Sequence, residues 1–221
     1  MNVDDCLQTA TFKFGIIECK LDSEMKRSGI ELRCSMIKEK IMEYLDIVDE
    51  NGIPTGETIE RALAHRTGVR HRTTHIWIVR KHEKKIQILL QKRSKNKDSF
   101  PGCYDISSAG HIPAGDEFAE SGLRELEEEL GLKVEEKELI ECGLHRVFTE
   151  NEFHGIPYVD NQISKVFLLW KDIEIEELRL QTEEIESAMW MDFEECKDAV
   201  RNHTIPTCIN IKELELLEEQ M

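Results

Sequence analysis

GHIPAGDEFAESGLRELEEELGL, residues 110–132, has two halves of different character. The first is rich in glycine and proline and reads as a turn; the second, residues 117–130, has the pattern of a helix. At about 100° per residue, Ala119, Leu123, Leu126 and Leu130 gather on one side, which must face a core. With Glu125 set at zero, Glu129 falls at about +40° and Glu128 at about −60°, so three carboxylates share one narrow face. Glu120 and Glu127 fall elsewhere and read as solvent-facing charges. Carboxylates at i, i+3 and i+4 repel one another by a few tenths of a kcal/mol per pair. Two readings remain open at this point: a solvated acidic face, or a seat for a divalent cation such as Mg²⁺, which favours clustered oxygens.

Outward from this helix the chain alternates strands and helices. Residues 73–80 (TTHIWIVR) and 86–91 (IQILLQ) are β-rich runs joined by the charged turn KHEKK, which predicts a hairpin. Nearer the start, EYLDIVDENGIPTGE holds a β-like run and an Asn51-Gly52 turn signal. The runs 164–170 and 187–191 read as strands, 192–202 and 211–220 as acidic helices, and FTENEFHGIPYVDN as a surface loop. The whole indicates an α/β layered domain from residue 42 to residue 221. Residues 1–41 are polar with isolated apolar patches and read as an N-terminal extension that contributes little to the core.

Composition narrows the function. With 29 basic and 45 acidic residues the formal charge is −16, which repels a polyphosphate backbone and speaks against polymeric nucleic acid as a partner. No apolar run approaches the ~18 residues that span a bilayer, and the acidic start does not read as a secretory signal. The seven cysteines are scattered with no CxxC pair, as expected of reduced thiols in a cytoplasmic protein. Oligomeric state is not written in the pattern.

Gly110 is followed by Asp116, then by Arg124-Glu125-Leu126, Glu128-Glu129 and Gly131-Leu132. This spacing resembles the Nudix box, with Asp116 replacing the usual first glutamate. The resemblance runs from about Glu43 to Trp190-Met191-Asp192-Phe193, and it implies an α/β/α sandwich around a mixed β-sheet. It also implies hydrolysis of the diphosphate linkage of a nucleoside diphosphate or its derivative, a small molecule, with Mg²⁺ as cofactor and Mn²⁺ as a substitute. Glu125, Glu128, Glu129 and the carbonyl of Ala109 become the metal ligands, with Glu125 and Glu128 the catalytic pair and Glu128 a candidate general base. Glu150, Glu152 and Asp160 are further candidates, with Glu183 and Glu184 behind them. Gly110 permits close approach of the chain, Gly131 caps the helix, and Arg124 pairs with Asp116 to brace the loop. Asp116 has a competing role as the N-cap of a helix starting at Glu117. Arg93 and Lys97, in the basic loop KRSKNKDSFPG, are the expected phosphate grip.

HRTTHIWIV, KRSKNKDSFPG and SSAGH also resemble isopentenyl diphosphate isomerase, a relative with the same fold. His65, His71 and His111 echo its histidines, and Arg93 and Lys97 its basic residues. Ala109 stands where that enzyme needs a cysteine and Gln162 where it needs a glutamate, so the resemblance implies hydrolysis rather than isomerisation. Cys103 lies six residues before Ala109. A binding module that kept the fold without catalysis is the remaining reading.

Overall fold

The computed structural model describes residues 42–221; the expectation for residues 1–41 lies outside the described residues. A two-stranded hairpin comes first, β1 (Tyr44–Val48) and β2 (Pro54–Glu60). The Asp49 carboxylate closes its turn by accepting from the amides of Asn51 and Ile53. Helix α1 (Arg61–Thr67) follows, capped by the Glu60 side chain.

A seven-stranded mixed sheet is the centre of the molecule. Its first pair is the expected hairpin, β3 (His71–His82) and β4 (Lys85–Arg93), turned by Glu83 and Lys84, both at positive φ. The two strands pair only from Val79 and Ile88 to the turn. Beyond that point they part: β6 (Ser108–His111) adds antiparallel to β3, while β5 (Tyr104–Asp105) and β9 (Ile185–Asp192) flank β4. On the far side β3 runs parallel to β8 (Ile156–Trp170), which pairs antiparallel with β7 (Leu139–Phe153).

Strand pairing extends through the segment read from sequence as a loop. FTENEFHGIPYVDN is the tip of the β7–β8 hairpin, and His154 and Gly155 turn it at positive φ. Backbone pairing carries a polar ribbon here, so no apolar alternation advertises it.

Helix α2 (Phe118–Leu130) lies on one face of the sheet, and α3 (Phe193–Arg201) and α4 (Ile211–Glu218) on the other, which makes the α/β/α sandwich. Alternation along β3 divides the core accordingly. Ile76 and Ile78 pack with Leu126 and Leu130 of α2. Trp77 and Val79 pack with Phe193, Val200, Leu214 and Leu217 of α3 and α4. No described helix is long and apolar enough to cross a membrane. Among the described cysteines, Cys103, Cys142, Cys196 and Cys208 are free thiols.

Candidate active site

Where β3 and β4 part, the sheet opens into a cavity of about 690 Å³. Glu125, Glu128, Glu129, Ala109, Gly110, Arg124, Arg93 and Lys97 all border it, so the residues singled out in two distant stretches of sequence meet in one place. Asp116 and Gly131 do not; Asp116 lies in the loop ahead of α2 and Gly131 ends that helix.

Helix α2 supplies the acidic wall. Its Leu126 and Leu130 are fully buried, which fixes the rotation of the helix and turns the carboxylate face toward β6. Gly131 ends the helix at φ 71, and its amide returns to the Glu127 carbonyl. Glu120 and Glu127 are exposed, as their helical positions predict. The three cavity-facing carboxylates differ in depth. Glu129, 7% exposed, accepts from the Ser108 hydroxyl at 2.7 Å and from the Ala109 amide at 3.3 Å. Glu125 lies against Gly110, where an added Cβ would fall 2.3 Å from its side-chain carbons, so only glycine admits that side chain. Glu128 stands at the rim with its side chain 54% exposed.

Burial pushes the Glu129 carboxyl up to about 8, with repulsion from Glu125 adding to it against the donors Ser108 and Ala109. Burial likewise pushes Glu125 up to about 7, with Glu128 and Glu43 adding to it against the Arg124 guanidinium. Two acids this costly to ionise, side by side and oxygen-rich, fit a hard divalent cation, which would supply the missing positive charge.

Arg124 corrects one expectation. It pairs with Glu125, the next residue, at 2.8 Å and with Glu128, one turn on, at 3.1 Å, and not with Asp116. Nor is Asp116 the N-cap: the helix starts at Phe118, the cap position is Glu117, and no side chain caps it. A different pair braces the loop. Arg72, buried in β3, donates to the Asp46 carboxylate and to the Asp116 carbonyl, both at 2.9 Å. The same Asp46 oxygen accepts from the Gly115 amide at 3.0 Å. Asp116 therefore serves through its backbone, and the shorter side chain is no obstacle.

On the opposite wall, Arg93 donates to the Asp105 carboxylate at 2.9 Å and to the Ser99 carbonyl at 3.0 Å. Lys97 is paired with Glu184. Both cations are thus held in place at the cavity edge. Of the candidate bases on the β7–β8 hairpin, Asp160 borders the cavity beside Thr149 and Asn151. Glu150 and Glu152 alternate to the other face and are exposed, because that segment is a strand.

A second group of donors gathers next to the cavity and reaches it through His111. His65, His71 and His111 bring one nitrogen each to within 4.8 Å of one another. His71 Nδ1 donates to the Val69 carbonyl at 2.9 Å, which leaves a buried, unpartnered lone pair on Nε2. Burial lowers the pKa of His71 to about 4 and that of His111 well below the ordinary range, so both are neutral at pH 7. His65 Nε2 lies 2.9 Å from His111 Nε2, and its Nδ1 lies 3.2 Å from Asp160. Neutral imidazoles beside a carboxylate suit Zn²⁺ better than Mg²⁺.

Other cavity residues were not singled out from the sequence as site residues. Glu43, just ahead of β1, and Arg61 of α1 are paired at 2.7 Å. His75 and His145 lie on the sheet, and Glu213 on α4. Glu213 sits in a segment that reads as acidic surface, yet it precedes the buried Leu217 by one helical turn and shares its face. That spacing was the available signal.

The NUDIX domain family model matches residues 69–207. The chain is 39% identical over 160 residues to Nudix hydrolase 3 of Arabidopsis thaliana, across 71% of this chain and 20% of that protein. It is 37% identical over 153 residues to an uncharacterized Nudix hydrolase of Clostridium acetobutylicum, across 69% of this chain and 71% of that one. A crystal structure from Deinococcus radiodurans shares the fold, with TM-score 0.58 and 20% identity over 78% of this chain and 96% of that one. With box, sandwich and acidic wall in place, the chain belongs to the Nudix hydrolases, enzymes that generally use divalent metal ions.

Proposed function

We propose that this enzyme hydrolyses the diphosphate linkage of a nucleoside diphosphate or its derivative with Mg²⁺, or Mn²⁺ in its place, held by Glu125, Glu128, Glu129 and the Ala109 carbonyl. The observation that carries this reading is the gathering of Glu125, Glu128, Glu129 and Ala109 on one side of a cavity that also holds Arg93 and Lys97. When bound, divalent ions neutralise phosphoryl oxygens and lower the pKa of the attacking water. The chain's own groups do the rest. Arg93 presents a fork to one phosphate and Lys97 a point charge, each exchanging a carboxylate partner for the substrate. Arg124, paired with both Glu125 and Glu128, screens their mutual repulsion and orients them. Glu128, at the solvent rim, takes the proton from water, with Asp160 the alternative acceptor.

Thiol chemistry of the isomerase kind has little support. Ala109 offers no nucleophile, Cys103 does not border the cavity, and burial raises the pKa of Cys208, which does.

A phosphate-release screen over nucleoside diphosphates and their conjugates, with and without Mg²⁺, tests the proposal. Metal-dependent turnover that disappears in Glu129→Gln with the fold intact is expected. Conversion of a prenyl diphosphate to its isomer, or inertness toward the whole panel, overturns it.

A further inference from the structure

One corner of the cavity has no part in gripping phosphate. It is formed by Glu213 and Asn210 at the start of α4, His75 and Thr73 on β3, and His145 on β7. Glu213 is only 1% exposed, and one of its oxygens is held by His75 Nδ1. Its other oxygen has no hydrogen-bond partner among the described residues. His145 is 5% exposed, and its buried Nε2 is likewise without a partner among them. Thr73 and Ser164 share a hydroxyl–hydroxyl contact at 2.7 Å beside them. His75 pairs in register with Ala109, so this corner lies one strand from the acidic wall.

Each ligand chemistry can be weighed against these groups. A phosphate would meet a buried carboxylate and be repelled. An isoprenoid tail would cover Glu213 and His145 with hydrocarbon and strip both of water without replacing their hydrogen bonds. A nucleobase finds its aromatic partners elsewhere, since Phe100, Phe153 and Tyr158 cluster toward the other end, where Tyr158 stacks on His65. A hydroxyl-bearing ring fits: a carboxylate accepts from two neighbouring hydroxyls, and an imidazole nitrogen pairs with a third. We propose that Glu213, His75 and His145 form a subsite for a sugar or polyol moiety attached to the diphosphate. This rests on the box hydrolysing that diphosphate.

Two substrates matched in shape test it: the glucosyl ester of adenosine 5′-diphosphate, and the cyclohexyl ester of the same nucleotide, which lacks the ring hydroxyls. The wild-type enzyme should prefer the glucosyl ester in kcat/KM by about 10- to 100-fold. Glu213→Gln and, as a second variant should that one fail to fold, His145→Phe should each shrink this preference at least tenfold. A 2′,3′-dideoxyadenosine version of the glucosyl ester separates the sources of the hydroxyls; preference that moves with it assigns the corner to the nucleoside ribose. Equal use of both esters, or a preference unchanged in the variants, overturns the proposal. Should neither ester be hydrolysed, the reading of the box fails. Calorimetric binding of the two esters then judges the corner alone: tighter binding of the glucosyl ester, lost in the variants, supports it, and equal binding refutes it.

Discussion

Glutamine at position 129 should make the metal-free protein more stable at alkaline pH while abolishing its activity. Glu129 ionises near 4.5 in an unfolded chain and at about 8 in the fold, because burial penalises its charged form. Between those values the folded state holds a proton that the unfolded state has released, so stability falls as pH rises through that window. At about 1.4 kcal/mol per tenfold change in proton affinity, the full descent is on the order of 5 kcal/mol. Glu125, pushed up to about 7, slopes the same way. Glutamine keeps the shape and the acceptor for Ser108, and it never ionises. The assay is melting temperature from pH 5 to pH 9 in chelator. Wild type should lose about 10 °C or more across the range, and Glu129→Gln distinctly less. Magnesium should restore the wild type at pH 8 and leave the variant unmoved, since the folded state alone binds the ion. Identical slopes for the two proteins in chelator would refute the reasoning, because the burial of Glu129 would then not govern its ionisation.

Gly110→Ala puts a methyl group against Glu125, displacing it; Mg²⁺ affinity measured by calorimetry should fall about tenfold or more, with the melting temperature changing far less. Arg93→Lys loses the fork shared between Asp105 and the Ser99 carbonyl and should raise KM about tenfold, read in steady-state kinetics, with little change in kcat if the grip is made equally in ground and transition states. His71→Gln removes the preset lone pair of the histidine cluster, and a Zn²⁺ titration should lose one binding event seen in wild type; an unchanged isotherm would assign the cluster a packing role.

The acidic wall was legible because helical geometry is local. Spacing alone placed Glu125, Glu128 and Glu129 together and turned Leu126 and Leu130 inward, and the sheet-bearing runs at 73–80 and 86–91 were equally plain. What escaped was set by contacts distant in sequence. Nothing near Asp116 says that Arg72, 44 residues earlier, holds its carbonyl. The hairpin carrying Asp160 is polar because one of its faces lines the cavity and the other meets solvent, and that removes the apolar alternation by which strands are read. Glu213 hid among surface acids, and its partner His75 lies 138 residues away.

The brace from Asp46 to Arg72 and the Gly115 amide reaches outside the stretch that matches the family. Asp46 and Glu43 precede the stretch that matches the family, and Asn210 and Glu213 follow it. The matched middle supplies helix α2 and its acidic wall, while segments outside it steady the loop ahead of that helix and furnish the far corner of the cavity. Substitutions confined to these flanks can therefore reshape the far corner while leaving the acidic wall in place.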